Sequence, residues 1–395
     1  MQAAKSAAGY SAVLLTKVDL VPPARLDPVR LGYLRIQRSF PYLYHTDCLS
    51  SNLADEGSVR VLAAELVNKV APHSQNTETS AKSVLAQVYD AALDWIASWF
   101  ALPSTPHWPP NAAEELAEIA TDEDVKRLVE GATAWDEELK IRLDARDARC
   151  VGIHRITPCL IAKAAFYSSE QASMEYARRH TSIPIPRTHH PHLSWLLMDY
   201  IDGEMLRECW AKQSSFMQFR IACTLRLYLR QLHSLRGPSV GTVDTGKVGG
   251  IYFQEEQYGP FESVRRFRQF CNWVSFEGWY MRAHAVQRAG KEPPPLPEPN
   301  FDWTPRFIHG DLNASNILLD RQGVLWLLDW DAAGFYPACV EPLAMRFVDD
   351  DLHSGVMPKS WSRYRSFIAG ATTSKETWYW GDVMTAIHRF RGFGG

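Results

Sequence analysis

The chain lacks paired cysteines. Its seven stand far apart (Cys48, Cys150, Cys159, Cys209, Cys223, Cys271 and Cys339), and no Cys-x-x-Cys occurs. Neither a zinc site nor a disulfide framework is spelled out, and the thiols read as reduced and mostly buried. No run of about 20 uncharged apolar residues exists; the nearest, Ser83 to Leu102, carries Asp90 and Asp94. Neither a helix that spans a membrane nor a membrane partner is therefore expected. A secretory leader is not evident either, because only Lys5 precedes a weak apolar run that Tyr10 and Ser11 interrupt; the default expectation is a cytoplasmic protein. Basic surplus is also missing. A formal charge of −3 offers no phosphate-neutralising footprint, which argues against a nucleic-acid partner. Oligomeric state is not legible.

What the chain has is bulk for a core: 395 residues, 46% apolar and 12% aromatic, with 14 Trp, which excludes a disordered polymer. Trp99, Trp210 and Trp330 read as packing residues and not as a ligand cage. Residues 1–120 form an extension without a nameable chemical motif. Within it, Val84, Leu85, Val88, Leu93, Ile96 and Phe100 give an apolar helix stripe, read first as a packed face and second as a partner or membrane-surface helix. From Thr121 the text changes. Thr121 and Asp124 resemble a helix start, with Val125, Leu128 and Val129 as its face and Gly131 as its stop.

Two strand-like runs follow, at Cys150–Ile156 and Pro158–Ala165, then a helical stretch over Ser168–His180 and a strand-like Trp195–Ile201 that ends at Asp202-Gly203. The order suggests a small mixed lobe over 121–202. Beyond it, 203–395 turns mainly helical. Ile221, Leu225, Leu229 and Leu232 share one face, and five prolines in Lys291–Pro299 make that stretch a surface connection. A hairpin is expected from Asn316–Leu319, the turn Asp320-Arg321-Gln322-Gly323, and Val324–Leu328.

The densest polar group in an apolar setting is Phe307-Ile308-His309-Gly310-Asp311-Leu312-Asn313-Ala314-Ser315-Asn316-Ile317, followed by Leu328-Asp329-Trp330-Asp331. Strand, polar loop, strand, carboxylate is a pattern in which one carboxylate and one amide converge on a hard cation while another carboxylate accepts a proton. That suits phosphoryl transfer, and Mg²⁺ suits a site with few protein oxygens.

At these residues the sequence resembles the aminoglycoside phosphotransferase and choline kinase family, and looks especially like its fungal branch. The match is His309-Gly310-Asp311-Leu312-x-x-x-Asn316-Ile317-Leu318 with Leu328-Asp329-Trp330, and the resemblance covers roughly Thr121 to Asp351. Thr181 to Pro186, Leu197 to Glu204, and Ala333 to Pro337 with Glu341 fit in the same order. The resemblance implies a bilobed protein-kinase-like α/β (α+β) fold, with a small mixed sheet lobe and a mainly helical lobe. It implies ATP and Mg²⁺ as cofactors, Asp311 as catalytic base, His309 bracing the loop, and Asn316 and Asp329 on the metal. Asp199, Tyr200 and Ile201 become the hinge that seats adenine, although the same residues also read as an edge strand.

Lys163, in the apolar strand Leu160–Ala164, is the candidate for the lysine on the nucleotide phosphates; its other reading is a snorkelling strand lysine. A lone charge there needs a partner. An ungapped match puts the family's glutamate near Ala172, which leaves Glu170 or Glu175, with Glu175 preferred. No glycine-rich phosphate loop precedes Lys163. Asp331 reads as a metal-side carboxylate or a cap. The run Asp349-Asp350-Asp351 reads either as the receiver of a cationic acceptor or as a solvated helix end. The function expected is transfer of the γ-phosphoryl group of ATP to a hydroxyl of a small molecule. The rival readings are a non-catalytic kinase-shaped scaffold and a protein kinase; the absent glycine loop and the His-Gly-Asp wording speak against the latter.

Overall fold

The structure is a computed structural model, and it describes residues 78–132, 152–164, 169–189, 195–254, 256–298, 301–352 and 358–391. Expectations for residues 1–77, including most of the extension, lie outside the described residues.

The elements run α1 (Glu78–Phe100), α2 (Ala112–Ala117), α3 (Asp122–Gly131), β1 (Ile153–Arg155), β2 (Leu160–Ala164), α4 (Ser169–His180), β3 (Trp195–Asp199), β4 (Gly203–Met205), α5 (Leu206–Cys209), α6 (Ser215–Ser234) and α7 (Val264–Arg288). They continue with β5 (Pro305–Ile308), β6 (Ile317–Asp320), β7 (Leu325–Leu327), β8 (Gly334–Pro337), α8 (Val340–Phe347), α9 (Lys359–Ser362), α10 (Arg365–Ala369) and α11 (Ser374–Ala386). This is an α+β fold of small antiparallel sheets and longer helices. Three sheets have the orders β1-β2-β3, β4-β6-β7 and β5-β8, all antiparallel. The described residues fall into two compact units. One takes α1, 210–230 and 358–371; the other takes 103–209, 231–357 and the chain from 372.

In the first unit, Leu93, Ala97 and Phe100 of α1 are buried. Arg226 of α6 is buried too, and its guanidinium donates to Asp94 Oδ1 (2.7 Å), to Asp90 Oδ1 (3.1 Å) and to the Phe367 carbonyl (2.7 Å). The face of α6 read from the sequence is dry along its length, since Ile221, Leu225, Leu229 and Leu232 are all buried.

In the second unit, α3 begins with the expected capping box, Thr121 and Asp124 satisfying each other's backbone N–H. Its Val125 joins Ala112, Ile119, Leu160, Ala162 and Leu197 in one apolar cluster. Residues around α2, which the sequence groups with the extension, thus pack on the first sheet. Period two in β2 decides the rest: Leu160 and Ala162 point into that cluster, so Ile161 and Lys163 take the opposite face.

The expected hairpin is present. Ile317 pairs with Leu327 and Leu319 with Leu325. Asp320 Oδ1 accepts the N–H groups of Gln322 and Val324, Oδ2 accepts Trp326 Nε1–H (2.8 Å), and Gly323 turns the chain at φ 81°. Farther on, α7 crosses α11 at Gly278, where an added Cβ would fall onto the Asp382 carbonyl oxygen. Arg282 clamps the same residue through two hydrogen bonds to its carboxylate, 2.9 and 2.7 Å.

This crossing sets a test. Gly278→Ala should lower stability by about 1–3 kcal/mol through overpacking. Gly381→Ala on α11, whose Cβ would meet nothing within 4 Å, should leave stability unchanged or raise it by up to about 1 kcal/mol. Urea denaturation of the two variants beside the parent chain checks the pair.

Candidate active site

Eight residues link Ile308, the end of β5, to Ile317, the start of β6, and they form the loop His309–Asn316. The loop is held from behind. Glu341 of α8 is fully buried and accepts the N–H groups of His309 (2.7 Å) and Gly310 (3.2 Å). Gly310 sits at φ 79°, and a side chain there would run into the Ala332 carbonyl, so only glycine serves.

His309 is buried against Trp330, with ring centroids 4.7 Å apart. Burial lowers its pKa, although Glu341 and Asp329 pull it up. The neutral ring donates from Nε2 to the Leu328 carbonyl (3.0 Å), and Nδ1 faces the Asp311 N–H at 3.4 Å.

Asp311 has both carboxylate oxygens engaged. Asn313 Nδ2 donates to Oδ1 (3.0 Å) and Asn316 Nδ2 to Oδ2 (2.9 Å), and both amides also reach the Asp311 carbonyl. Burial, then the charge of Asp329, pushes its pKa up to about 7 against the opposing pull of the two amides. Asn313 was not singled out in the sequence. Its signal was an amide two residues after an aspartate in a loop, an Asx-turn pattern: its Oδ1 accepts the Ser315 N–H at 2.8 Å.

Asn316 and Asp329 are brought together by the hairpin. The Leu328 N–H donates to the Asn316 carbonyl (2.9 Å), so the residue opposite Asn316 is the one just before Asp329. Asp329 adopts φ 61°, a left-handed conformation that aspartate tolerates better than most residues.

Lys163 Nζ donates to Asp329 Oδ1 (2.7 Å) and to Glu170 Oε1 (2.8 Å). The expected partner Glu175 is corrected here. It accepts from Gln171 (2.9 Å) and Thr188 (3.2 Å) instead. The reason is helix phase: α4 starts at Ser169, which sets Glu170 in the buried first turn. Burial would lower the pKa of Lys163, but the two carboxylates raise it well above the usual value. Burial pushes Asp329 up and Lys163 more than reverses this, leaving it low. One ammonium cannot neutralise two carboxylates, and the deficit falls on the more buried one: desolvation raises Glu170 to about 7 despite Lys163, with Asp329 adding to the rise. Asp331 is exposed beside this group, and partial desolvation raises its pKa.

The hinge segment is placed differently from its expectation in one respect. The Asp199 side chain is fully buried and tied to Arg187 Nε (2.6 Å) and His189 Nε2 (2.8 Å), so its carboxylate is committed within the protein and the hinge reading concerns backbone groups alone. Its N–H donates to the Arg187 carbonyl and that of Tyr200 to the Cys159 carbonyl. Tyr200 carries the Arg155 guanidinium over its ring at 3.8 Å, and Ile201 packs with Leu318, Val324 and Trp326. In the acidic run, Asp349 is buried and Asp350 lies 3.5 Å from Arg346, an arrangement that fits the helix-end reading.

The family model described as "Phosphotransferase enzyme family" (APH) matches residues 153–345, a span that contains Lys163, Glu170, His309, Asp311, Asn316, Asp329 and Glu341. Over that span the chain resembles this family. Solved structures that the chain is similar to include the gentamicin complex of APH(2'')-IIa, at 14% identity over 61% of this chain and 83% of that one, with a TM-score of 0.36. Others are the choline kinase LicA from Streptococcus pneumoniae (12%, 60% and 79%, TM-score 0.31) and macrolide 2'-phosphotransferase type I (12%, 69% and 91%, TM-score 0.33). No curated protein matches the chain.

The donor set also fits the implied cation. Among the described residues, no three His, Cys, Asp or Glu side chains form a metal cage. The ionised Asp329, 44% exposed, and the amide of Asn316 are hard oxygen donors, few enough to leave positions for phosphate and water as Mg²⁺ requires.

The charges around Lys163 and Asp199 can each be tested by removing one. If Lys163 holds nucleotide phosphates, as proposed below, Glu170→Gln should weaken that binding by about tenfold, while Glu175→Gln should change it less than about twofold; titration calorimetry with a non-hydrolysable ATP analogue checks both. For Asp199, burial raises the pKa, but the His189 and Arg187 hydrogen bonds outweigh it and hold the carboxyl below its ordinary range. A carboxylate lowered on folding stabilises fully above its unfolded pKa of about 4 and loses that contribution as pH falls through the folded value. Asp199→Asn should therefore cost about 1.5–3 kcal/mol near pH 7, and the gap to the parent should shrink below about pH 4, as read by urea titrations across pH.

Proposed function

We propose that this protein moves the γ-phosphoryl group of ATP to a hydroxyl of a small molecule. The observation that carries the reading is Asp311, held through both carboxylate oxygens by Asn313 and Asn316, in electrostatic reach of the Lys163–Asp329 pair. Asp311 orients the acceptor hydroxyl and accepts its proton as the oxygen attacks the γ-phosphorus and the bond to the β-phosphate oxygen breaks. Asn313 and Asn316 fix the carboxylate so that the proton is delivered to a set position. His309 stays neutral and holds the loop to the end of the hairpin.

Lys163 grips the nucleotide phosphates, and Glu170 orients it. Asn316 and Asp329 would hold Mg²⁺, which would supply positive charge against the phosphate oxygens. The backbone of the hinge Asp199–Ile201 seats adenine, and Ile201 with Leu318, Val324 and Trp326 offers apolar surface beside it. The rival reading, a non-catalytic scaffold, rests on the unsettled glutamate and on the unplaced extension; on the first of these the Lys163–Glu170 bond supports the catalytic reading.

The test uses labelled ATP with a panel of amino alcohols, sugars, aminoglycosides and macrolides. Asp311→Asn should cut turnover on the accepted substrate by about 10²–10⁴-fold and leave ATP binding within about threefold of the parent. Failure of the parent chain to bind ATP with Mg²⁺ at millimolar concentration would overturn the reading.

A further inference from the structure

Helix α7 carries an exposed aromatic stripe. Trp273, Phe276 and Tyr280 are 51%, 44% and 48% exposed, and at 3.6 residues per turn they lie within an arc of about 60°. Trp273 rests edge-on against Phe390, ring centroids 4.8 Å apart, yet all three rings keep close to half their surface in water, an exposed apolar patch of the kind that marks a contact surface. The opposite face, with Phe267, Phe270, Cys271 and Val274, is buried in the core, so folding already consumes one apolar side of the helix and leaves the other.

Charge marks what the second side meets. Between Glu262 and Glu292 there are six Lys or Arg against three acids, Glu262, Glu277 and Glu292, a surplus of three positive charges in a chain whose formal charge is −3. Arg282 is clamped on Asp382, and Glu277 lies 3.8 Å from Arg389. Arg265 and Arg266 at one end of the stripe, and Arg288 and Lys291 at the other, are exposed. Gln269, His284 and Gln287, also exposed, continue the same face and add no negative charge.

We propose that this face of α7 docks on an anionic phospholipid bilayer, with the three rings at headgroup level and the basic ends on lipid phosphates and carboxylates. The rings sit on the outer side of one helix, which suits a plane better than a groove-bound peptide. Tryptophan and tyrosine are the side chains that favour the interface of water and hydrocarbon, and flanking Arg and Lys supply the attraction to anionic lipid. The docking is peripheral, and no helix among the described residues is long and apolar enough to cross a membrane.

The experiment is co-sedimentation of the full chain with vesicles of phosphatidylcholine alone and of phosphatidylcholine with phosphatidylserine at about 7:3. Binding is expected to the mixed vesicles, to fall at least tenfold at about 0.5 M salt, and to be weak on phosphatidylcholine. The variant W273A/F276A/Y280A should lose about tenfold or more in partitioning, with its melting temperature showing that it folds. The independent variant R265Q/R266Q/R288Q/K291Q should lose binding to the mixed vesicles while keeping the rings. Equal binding by the parent and either folded variant overturns the proposal, as does no binding of the parent to mixed vesicles. A dimer in light scattering that the aromatic variant dissolves would assign the face to a second copy of the chain and overturn it too.

Discussion

A single ammonium group ties the site together. Lys163 comes from a strand, Glu170 from the first turn of the helix after it, and Asp329 from the residue after the hairpin. All three meet at hydrogen-bond distance. A buried charge without partners is costly, and removing one partner of such a group leaves the other uncompensated. The position of α4 on its sheet and the left-handed turn at Asp329 are therefore two ends of one electrostatic constraint. Strand periodicity supplies its third element, because Leu160 and Ala162 can enter the apolar cluster only if Lys163 leaves it.

The loop before β6 is constrained by hydrogen bonds of a different kind. Glu341 accepts two consecutive backbone N–H groups, His309 reaches the end of the hairpin through one side-chain bond, and two amides hold Asp311. None of these depends on a flexible surface side chain. The result is a carboxylate fixed in place yet kept from the full ionisation of a solvated aspartate, since it is desolvated and near Asp329. A group required to take up a proton near neutral pH benefits from that balance.

What was legible in the sequence was local. The hairpin, the capping box at Thr121, the buried face of α6 and the loop from His309 to Asn316 each depend on spacing within a dozen residues, and each stands where its pattern placed it. The partner of Lys163 was not legible, because Glu170 and Glu175 are both acids on α4, about 140° apart around its axis, and which of them faces the strand depends on how the helix packs. The role of the Asp199 side chain was hidden for another reason. Its partners Arg187 and His189 are set beside it by the bridge between Thr188 and Met198, a pairing that no local motif announces. Asn313 was hidden by its ordinariness, as an amide in a polar loop among several.

Arg226 and Lys163 show how the same device serves two ends. Each is a cation largely withdrawn from water between two carboxylates. Arg226 spends its donors on Asp90, Asp94 and the Phe367 carbonyl, all within the protein, and a guanidinium so saturated is an anchor between helices. Lys163 has three donors and gives two of them, to Glu170 and Asp329, while Asp329 keeps 44% of its side chain in water. The arginine cluster also has a wet edge, since Asp90 keeps 50% of its side chain in water; what differs is that the arginine's donors are taken up on three residues of the protein. The lysine cluster has a solvated edge and capacity for one further acceptor, the position that a phosphate oxygen takes in the reaction proposed.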